Sequence, residues 1–315
     1  MEKVIIIGSG PAGYASAIYA GRAQLNPLVI AGPALGGQVA ISSEIGNYPG
    51  FPEDIHGAEL AQLMQRQAER FDARIEMDIV TSVDLSVRPF KVTVYGGEYE
   101  TQALIVASGA SPRKLGVPGE EELSGRGVSY CATCDGFFYM GKEIVMVGGG
   151  DSAVEEAIFL TRFASKVRII HRRNQLRAEK LLQEQAFRNE KIEVIWDTVV
   201  PEIVGEDSVT AVKLRNTKTN EESLLPTDGV FIAIGFVPNT GFLGDQLELT
   251  QDGYVIADDG GRTNVEGVWA AGDVSDWTYR QIATSVGSGC KAAIQVEHYI
   301  ARLEDRVYPG KSELA

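Results

Sequence analysis

One short unit occurs twice in this chain and constrains its fold more than any other feature: a β-rich run, a glycine-rich turn and a helix-forming stretch. In the first copy Val4-Ile5-Ile6-Ile7 leads into Gly8-Ser9-Gly10-Pro11-Ala12-Gly13, and a helix is predicted over Tyr14 to Ala23. In the second, Ile144 to Val147 leads into Gly148-Gly149-Gly150-Asp151-Ser152-Ala153. Val154, Ala157 and Ile158 then follow at the i, i+3, i+4 spacing of an amphipathic helix, with Glu155 and Glu156 turned outward. The two turns fit GxGxxG and GxGxxA. Between a strand and a helix, glycines at these places permit a tight turn and close backbone approach to a pyrophosphate resting on the helix N-terminus. A single match says little, but two in this context imply two dinucleotide-binding units and an α/β chain with two Rossmann-like domains.

The remaining segments predict how those domains are threaded. Arg74 to Tyr99 reads as short strands with Gly96-Gly97 as a hairpin turn, and Ala103 to Ala107 as a buried strand closed by Ser108-Gly109. After the second unit come a strand at Lys191 to Ile195, an antiparallel region from Val199 to Leu225, and a buried strand, Gly229 to Ile234, that mirrors Ala103 to Gly109. The chain returns through Gly267 to Asp273 to a final amphipathic helix predicted over Gly289 to Leu303, with Ala292, Ala293, Val296 and Ile300 on one face. This order predicts an inner domain, residues 114–242, inserted into an outer one made of residues 1–113 and 243–315.

Composition narrows the partners. The chain has 315 residues, of which 35 are Gly, above the usual ~7%. A net charge of −14 argues against a nucleic-acid partner. Apolar runs such as Val230 to Ile234 fall far short of the ~18 residues that read as a membrane span. Met1-Glu2-Lys3 runs straight into the first strand without the pattern of an export signal, and three cysteines do not make a disulfide framework. A reducing, cytoplasmic setting is expected.

Two clusters carry chemistry. In a dinucleotide unit the residue ending the second strand, about 20 positions on, meets the adenosine ribose; an acid favours a free 2′-hydroxyl and an arginine a 2′-phosphate. The second unit holds His171-Arg172-Arg173 there, with Arg177 a turn further on, which predicts NADPH; the first holds Ala31 and should not take it. Cys131-Ala132-Thr133-Cys134-Asp135-Gly136 places two sulfurs where they can alternate between dithiol and disulfide, beside an acid suited to move a proton. The same spacing also serves as half a zinc site. The other Cys and His residues, Cys290, His56, His171 and His298, are in no paired ligand spacing, so no metal is expected. A nicotinamide gives up a hydride and a disulfide takes electrons through thiolates, so a flavin between them, held in the first site, is chemically sensible.

Taken together, Gly8 to Gly13, Gly36-Gly37-Gln38, Asn47-Tyr48-Pro49-Gly50, Cys131 to Phe138, Gly148 to Glu156, His171-Arg172-Arg173 with Arg177-Ala178, and Gly272-Asp273 followed by Arg280-Gln281 resemble the low-molecular-weight thioredoxin reductases over nearly the whole chain. The resemblance implies FAD and NADPH as cofactors, a homodimer, and thioredoxin as the disulfide substrate. It makes Cys134 the sulfur facing the flavin, Cys131 the sulfur that exchanges with thioredoxin, and Asp135 the acid and base. It places FAD against Gly8, Ser9, Gly10, Pro11, Ala12, Gly13, Gly37, Gln38, Asn47, Gly109, Gly272, Asp273, Arg280 and Gln281. NADPH falls to Gly148, Gly150, Asp151, Ser152, Ala153, His171, Arg172, Arg173 and Arg177. Arg126, Phe137 and Phe138 are implied to meet thioredoxin, and the inner domain to rotate about linkers near Pro112 to Pro118 and Pro238 to Gly244. Departures are mild: Ser108 stands where Thr is usual, Gly46 where an acid is, and Leu176 where an aromatic is. Two alternatives stay open: a ferredoxin-linked or small-molecule dithiol oxidoreductase, in which the second turn and arginine cluster are typically degraded, and a flavin-binding redox sensor without turnover.

Overall fold

The computed structural model describes residues 1–42 and 44–306, and in it each glycine-rich turn joins a parallel strand to a helix. The chain divides into two compact units: Pro112–Phe236, and Met1–Ser111 together with the chain from Val237 onward. Re-entry into the outer unit precedes residue 243 because Leu243 and Leu247 already lie in that unit's core, packed with Val80, Val83 and Phe90.

In the outer unit, strand Glu2–Ile7 lies between Leu28–Ile30 and Gly97–Val106, parallel to both. Arg74–Glu76 extends one side of the sheet in parallel, and Val268–Ala270 pairs in parallel with the far half of Gly97–Val106. Phe90–Val94 and Val80–Asp84 continue it as an antiparallel meander. The meander turns on Tyr95-Gly96, and Gly97 is already paired with Val94, so the hairpin tip lies one residue earlier than the Gly-Gly pair suggests. Alternation sorts the strand side chains into two layers. Val4, Ile6, Val29, Ala103 and Ile105 face helices Pro11–Arg22, Gly57–Glu69 and Ile282–Leu303; Ile5, Ile7, Leu28, Ile30, Leu104 and Val106 face the meander and the Leu243–Val255 region. Both faces of the sheet are therefore apolar, which is why these strands read as unbroken hydrophobic runs.

The inner unit repeats the plan. Its sheet runs Val128–Ser129, Gly229–Ala233, Glu143–Gly148, Lys166–Ile170, Ile192–Ile195, all parallel. Ile144, Met146, Val167, Ile169 and Phe231 pack on helices Asp151–Leu160 and Lys180–Arg188. Val145, Val147, Val230 and Ile232 pack on an antiparallel sheet of Thr198–Gly205, Val209–Asn216 and Glu222–Pro226.

Two helix starts differ from the sequence expectation. The first helix begins at Pro11, not Tyr14, because Gly10 is its N-cap and proline suits the first helical position, where an N–H is unpaired anyway. The last begins at Ile282, seven residues before Gly289. Thr284, Ser285, Gly287 and Ser288 are poor helix formers, and the start is fixed instead by Gln281 and Thr284 in a reciprocal capping box with the two residue types reversed from the usual order.

The last helix crosses the first where glycine leaves no side chain: a Cβ on Gly289 would lie 2.3 Å from the Ala12 carbonyl oxygen, whereas one on Gly287 would meet nothing within 4 Å. Alanine in a helix interior gains up to about 1 kcal/mol over glycine, but overpacking against backbone costs about 1–3 kcal/mol. Gly289→Ala is therefore expected to lower stability in urea unfolding by about 1–2 kcal/mol, and Gly287→Ala to raise it by about 0.5–1 kcal/mol.

Candidate redox and dinucleotide-binding sites

In the outer unit the first turn is shaped by contacts that exclude side chains. A Cβ on Gly8, whose φ is +113°, would lie 2.3 Å from the Ala107 oxygen, and one on Gly13 would lie 1.9 Å from the Gly8 oxygen. Gly10 and Gly109 look onto open space, and the backbone of Gly37, at φ +57°, sits close over Gly10. The first turn of the helix carries no side-chain cap, so its amide N–H groups are available to an anion in the groove above Gly10. Ser9 is not on that groove wall: it is buried, and its hydroxyl donates to the Ala31 oxygen (3.0 Å) while accepting from Gly36 N–H (3.3 Å). Its side chain shapes the loop from Ala31 to Gly36. Ala12 is likewise buried, beneath Gly272 and Gly289.

The structure brings other expected residues together. Asn47 Nδ2 donates to Gln281 Oε1 at 3.3 Å, although the two are far apart in sequence; Gln38 and Arg280 are both exposed or partly so, Arg280 at φ +48°. Gly272 donates to Ser288 Oγ at 2.8 Å, at the start of the turn that carries Asp273. Asp273 accepts a 3.0 Å bond from Ser285 Oγ, and burial pushes its carboxyl up to about 6 despite that bond. A largely buried acid with, among the described residues, one side-chain hydroxyl partner has room for further donors, and the ribityl hydroxyls of a flavin are of the right chemistry. The turn, the open space at Gly10 and Gly109 and the Asp273 carboxyl together fit FAD.

The sign of the Asp273 effect is definite. Because its folded value lies above its ordinary 3.8, the folded state holds that proton more tightly, and the associated stability is complete below about pH 4 and lost as pH rises through about 6. In flavin-free protein, Asp273→Asn is expected to match the parent in urea unfolding at pH 4 and to exceed it by up to about 3 kcal/mol at pH 8.

In the inner unit the second turn rests on a histidine. His171 is buried, with ring nitrogens 2.9 Å from the Gly148 oxygen and 3.0 Å from the Gln175 oxygen. A Cβ on Gly149 would lie 2.2 Å from His171 Nδ1, so the middle glycine, a free position in the motif, is required here. His171 thus supports the turn from below and does not present its ring to the surface. Ala153 is packed under Gly148, whose own Cβ would lie 2.6 Å from that of Ala153. Asp151 Oδ1 accepts from Glu179 N–H at 2.7 Å, and Arg177 N–H donates to the Gly149 oxygen at 2.7 Å. Ser152, Arg172, Arg173 and Arg177 are exposed, and Arg177 extends toward Gly150. By strand register Ile170 pairs with Val147 as Ile30 pairs with Ile7, so His171 and Ala31 occupy equivalent places. Exposed Arg172, Arg173 and Arg177 follow the second strand of this unit, where the first unit has Ala31 and Gly32, and this set fits a 2′-phosphate in the second site.

Cys131 and Cys134 form a disulfide. Cys131 caps the short helix Ala132–Asp135, and Cys134 N–H points at Cys131 Sγ at 3.2 Å. Asp135 is largely buried; burial raises its carboxyl above the ordinary value, opposed by a 2.5 Å bond from Ser129 Oγ. Beyond it, Phe137 is 63% exposed and packs edge-on against Phe138 and Phe163, while Arg126 bonds the Glu122 carbonyl. Sequence reasoning missed Ser129 and also Glu120. Glu120 is 1% exposed, and its carboxylate accepts from Leu115 and Gly116 N–H (2.9 and 2.7 Å) and from Tyr130 Oη (2.9 Å), next to Cys131. The run Val117-Pro118-Gly119 with Glu120 after it is the signal that could have flagged it, since a nested carboxylate commonly closes such a loop. Cys290 is half-buried on the last helix.

Two dinucleotide-binding units, one bearing a redox disulfide, define a pyridine-nucleotide-dependent disulfide oxidoreductase. Residues 2–289 match the family model described as pyridine nucleotide-disulphide oxidoreductase. The thioredoxin reductase of Rickettsia felis is 54% identical over 303 residues, covering 95% of this chain and 98% of its own length. That of Streptomyces coelicolor is 50% identical over 317 residues, covering 99% and 98%. The crystal structure of thioredoxin reductase from Streptococcus pyogenes matches with a TM-score of 0.91 at 45% identity, covering 95% of this chain and 98% of that one. The chain belongs to the pyridine nucleotide-disulphide oxidoreductase family and, within it, to the low-molecular-weight thioredoxin reductases.

Proposed function

We propose that this protein reduces the disulfide of thioredoxin with NADPH, using FAD held in the outer unit and the Cys131–Cys134 couple. One NADPH, one proton and the substrate disulfide give NADP⁺ and the substrate dithiol. The observation that carries this reading is the Cys131–Cys134 disulfide with a buried acid at its end, in the same unit as an arginine-bearing dinucleotide turn. The bound cofactors supply the two electrons that open the disulfide to the dithiol.

The residues of the chain do the rest. Cys134 N–H, aimed at Cys131 Sγ, stabilises negative charge there, which favours Cys131 as the attacking thiolate. Its attack breaks the thioredoxin disulfide and forms a mixed disulfide, and the Asp135 carboxyl hands its proton to the sulfur released. Asp135, now a carboxylate, takes the Cys134 proton as that sulfur attacks Cys131 Sγ, and passes it to the second thioredoxin sulfur as the enzyme disulfide re-forms. A carboxyl kept above its ordinary value by burial is suited to both transfers. The exposed Phe137, with Phe138 and Arg126, is the assigned thioredoxin contact. NADPH would be held by the backbone turn Gly148 to Ala153, with Arg172, Arg173 and Arg177 on its 2′-phosphate; FAD would be held by the backbone turn Gly8 to Gly13 with Gly37, Gln38, Asn47, Gly109, Gly272, Asp273, Arg280 and Gln281.

The reading includes a cytoplasmic homodimer without nucleic-acid or membrane partners. A net charge of −14 supports the former, and among the described residues no helix is long and apolar enough to cross a membrane.

Cys131→Ser and Cys134→Ser are each expected to cut thioredoxin-linked NADPH oxidation by at least about 10³-fold while NADPH still bleaches the flavin absorbance. Retained thioredoxin turnover in either variant overturns the assignment. Arg172→Ala combined with Arg173→Ala is expected to raise KM for NADPH by about 10²-fold and leave that for NADH unchanged, since only the phosphate contacts are lost.

A further inference from the structure

The redox segment contains a buried hydroxyl that the scheme above does not use. Ser129 ends the edge strand Val128–Ser129, in register with Phe231, and is 3% exposed. Its Oγ lies 2.5 Å from Asp135 Oδ2 and 3.1 Å from Cys131 N, with the Cys131 carbonyl oxygen a distant third at 3.4 Å. A hydroxyl has one proton and two lone pairs. Cys131 N–H occupies a lone pair, so the proton has two takers, and the carboxylate, nearer by 0.9 Å and charged, wins it over the carbonyl. Among the described residues Ser129 is the one side-chain hydrogen-bond partner of that carboxylate.

We propose that Ser129 is a positioning residue for the reaction: one hydroxyl ties the proton-carrying carboxylate of Asp135 to the backbone of Cys131, so the acid and the main chain that carries the sulfur are held by the same atom. The proposal rests on the reading of Asp135 as the proton carrier. Without the hydroxyl, Cys131 N–H loses its acceptor and Asp135 keeps its burial but not the bond that opposes it. The acid is then oriented less tightly and holds its proton more strongly, so it gives it up less readily. The titratable group that shares its field is Tyr139, on the turn Gly136–Tyr139, which Asp228 also influences; burial foremost, and then these acids, push Tyr139 up to about 12, so it stays protonated throughout the working range. The helix packed on this segment, Asp151–Leu160, carries Asp151, Glu155 and Glu156.

The test uses the oxidised holoenzyme, titrated with pH while the infrared carboxyl stretch is followed, with Asp135→Asn subtracted to isolate Asp135. Ser129→Ala is expected to tighten proton binding at Asp135 about tenfold, and Ser129→Thr, which restores the hydroxyl, to return it to the parent value. The pH profile of thioredoxin-linked kcat should move toward higher pH in Ser129→Ala, and the shift should vanish in the Asp135→Asn background. Should Ser129→Ala not fold, Ser129→Cys, with a weak S–H donor, is expected to give a smaller shift of the same sign. An Asp135 titration unmoved by the loss of the hydroxyl, or a rate that falls equally at every pH, overturns the proposal. A moved titration in an enzyme without thioredoxin turnover keeps the positioning role and removes the proposed function instead.

Discussion

The outer unit depends on one close approach, that of the Gly8 carbonyl to the Cα of Gly13. Any side chain there would lie inside the oxygen's van der Waals radius, so the helix sits against its strand only because residue 13 has none. That approach fixes where the helix starts and aims its first amides over Gly10. It also places Ala12 where Gly272 and Gly289 can cross it without side chains of their own. The shape of the turn and the helix packing are thus the same geometric fact. In the inner unit Ala153 takes the third place, and the strand-to-helix spacing is accommodated by a methyl group instead.

Much of this was legible in the sequence because it follows from period and punctuation. The strands Glu2–Ile7, Gly97–Val106, Glu143–Gly148 and Gly229–Ala233 are short apolar runs closed by glycine, and a sheet covered on both faces produces that pattern. The disulfide couple, its acid and the arginine cluster were legible because their chemistry is confined to a few residues of distinctive type. What was not legible depends on distant partners. The first turns of helix Ile282–Leu303 have little intrinsic helix preference and are held by Gln281, Thr284 and the crossing at Ala12. Ser9, Ala12 and His171 fall in the binding motifs, but their side chains serve the interior. A motif gives positions; it does not say which way each residue faces.

In the redox segment several small contacts gather around one pair of sulfurs. Cys131 caps its helix, Cys134 N–H faces the first sulfur, Ser129 bridges backbone and acid, and Tyr130 reaches the Glu120 carboxylate that gathers Leu115 and Gly116. Individually such bonds contribute about 1 kcal/mol each, and more where an ionised group takes part. Together they determine the surroundings of two sulfurs that must be opened and closed without disturbing the core beneath.

The division of labour at the second turn carries an evolutionary consequence. His171 does its work out of sight, bracing Gly148 and Gly149, while the side chains of Arg172, Arg173 and Arg177 are exposed. Surface cations of this kind can be exchanged one at a time with little harm to folding, whereas the imidazole cannot. On the proposed reading, a lineage with this architecture would drift between phosphorylated and unphosphorylated coenzymes by surface changes alone, keeping the scaffold beneath.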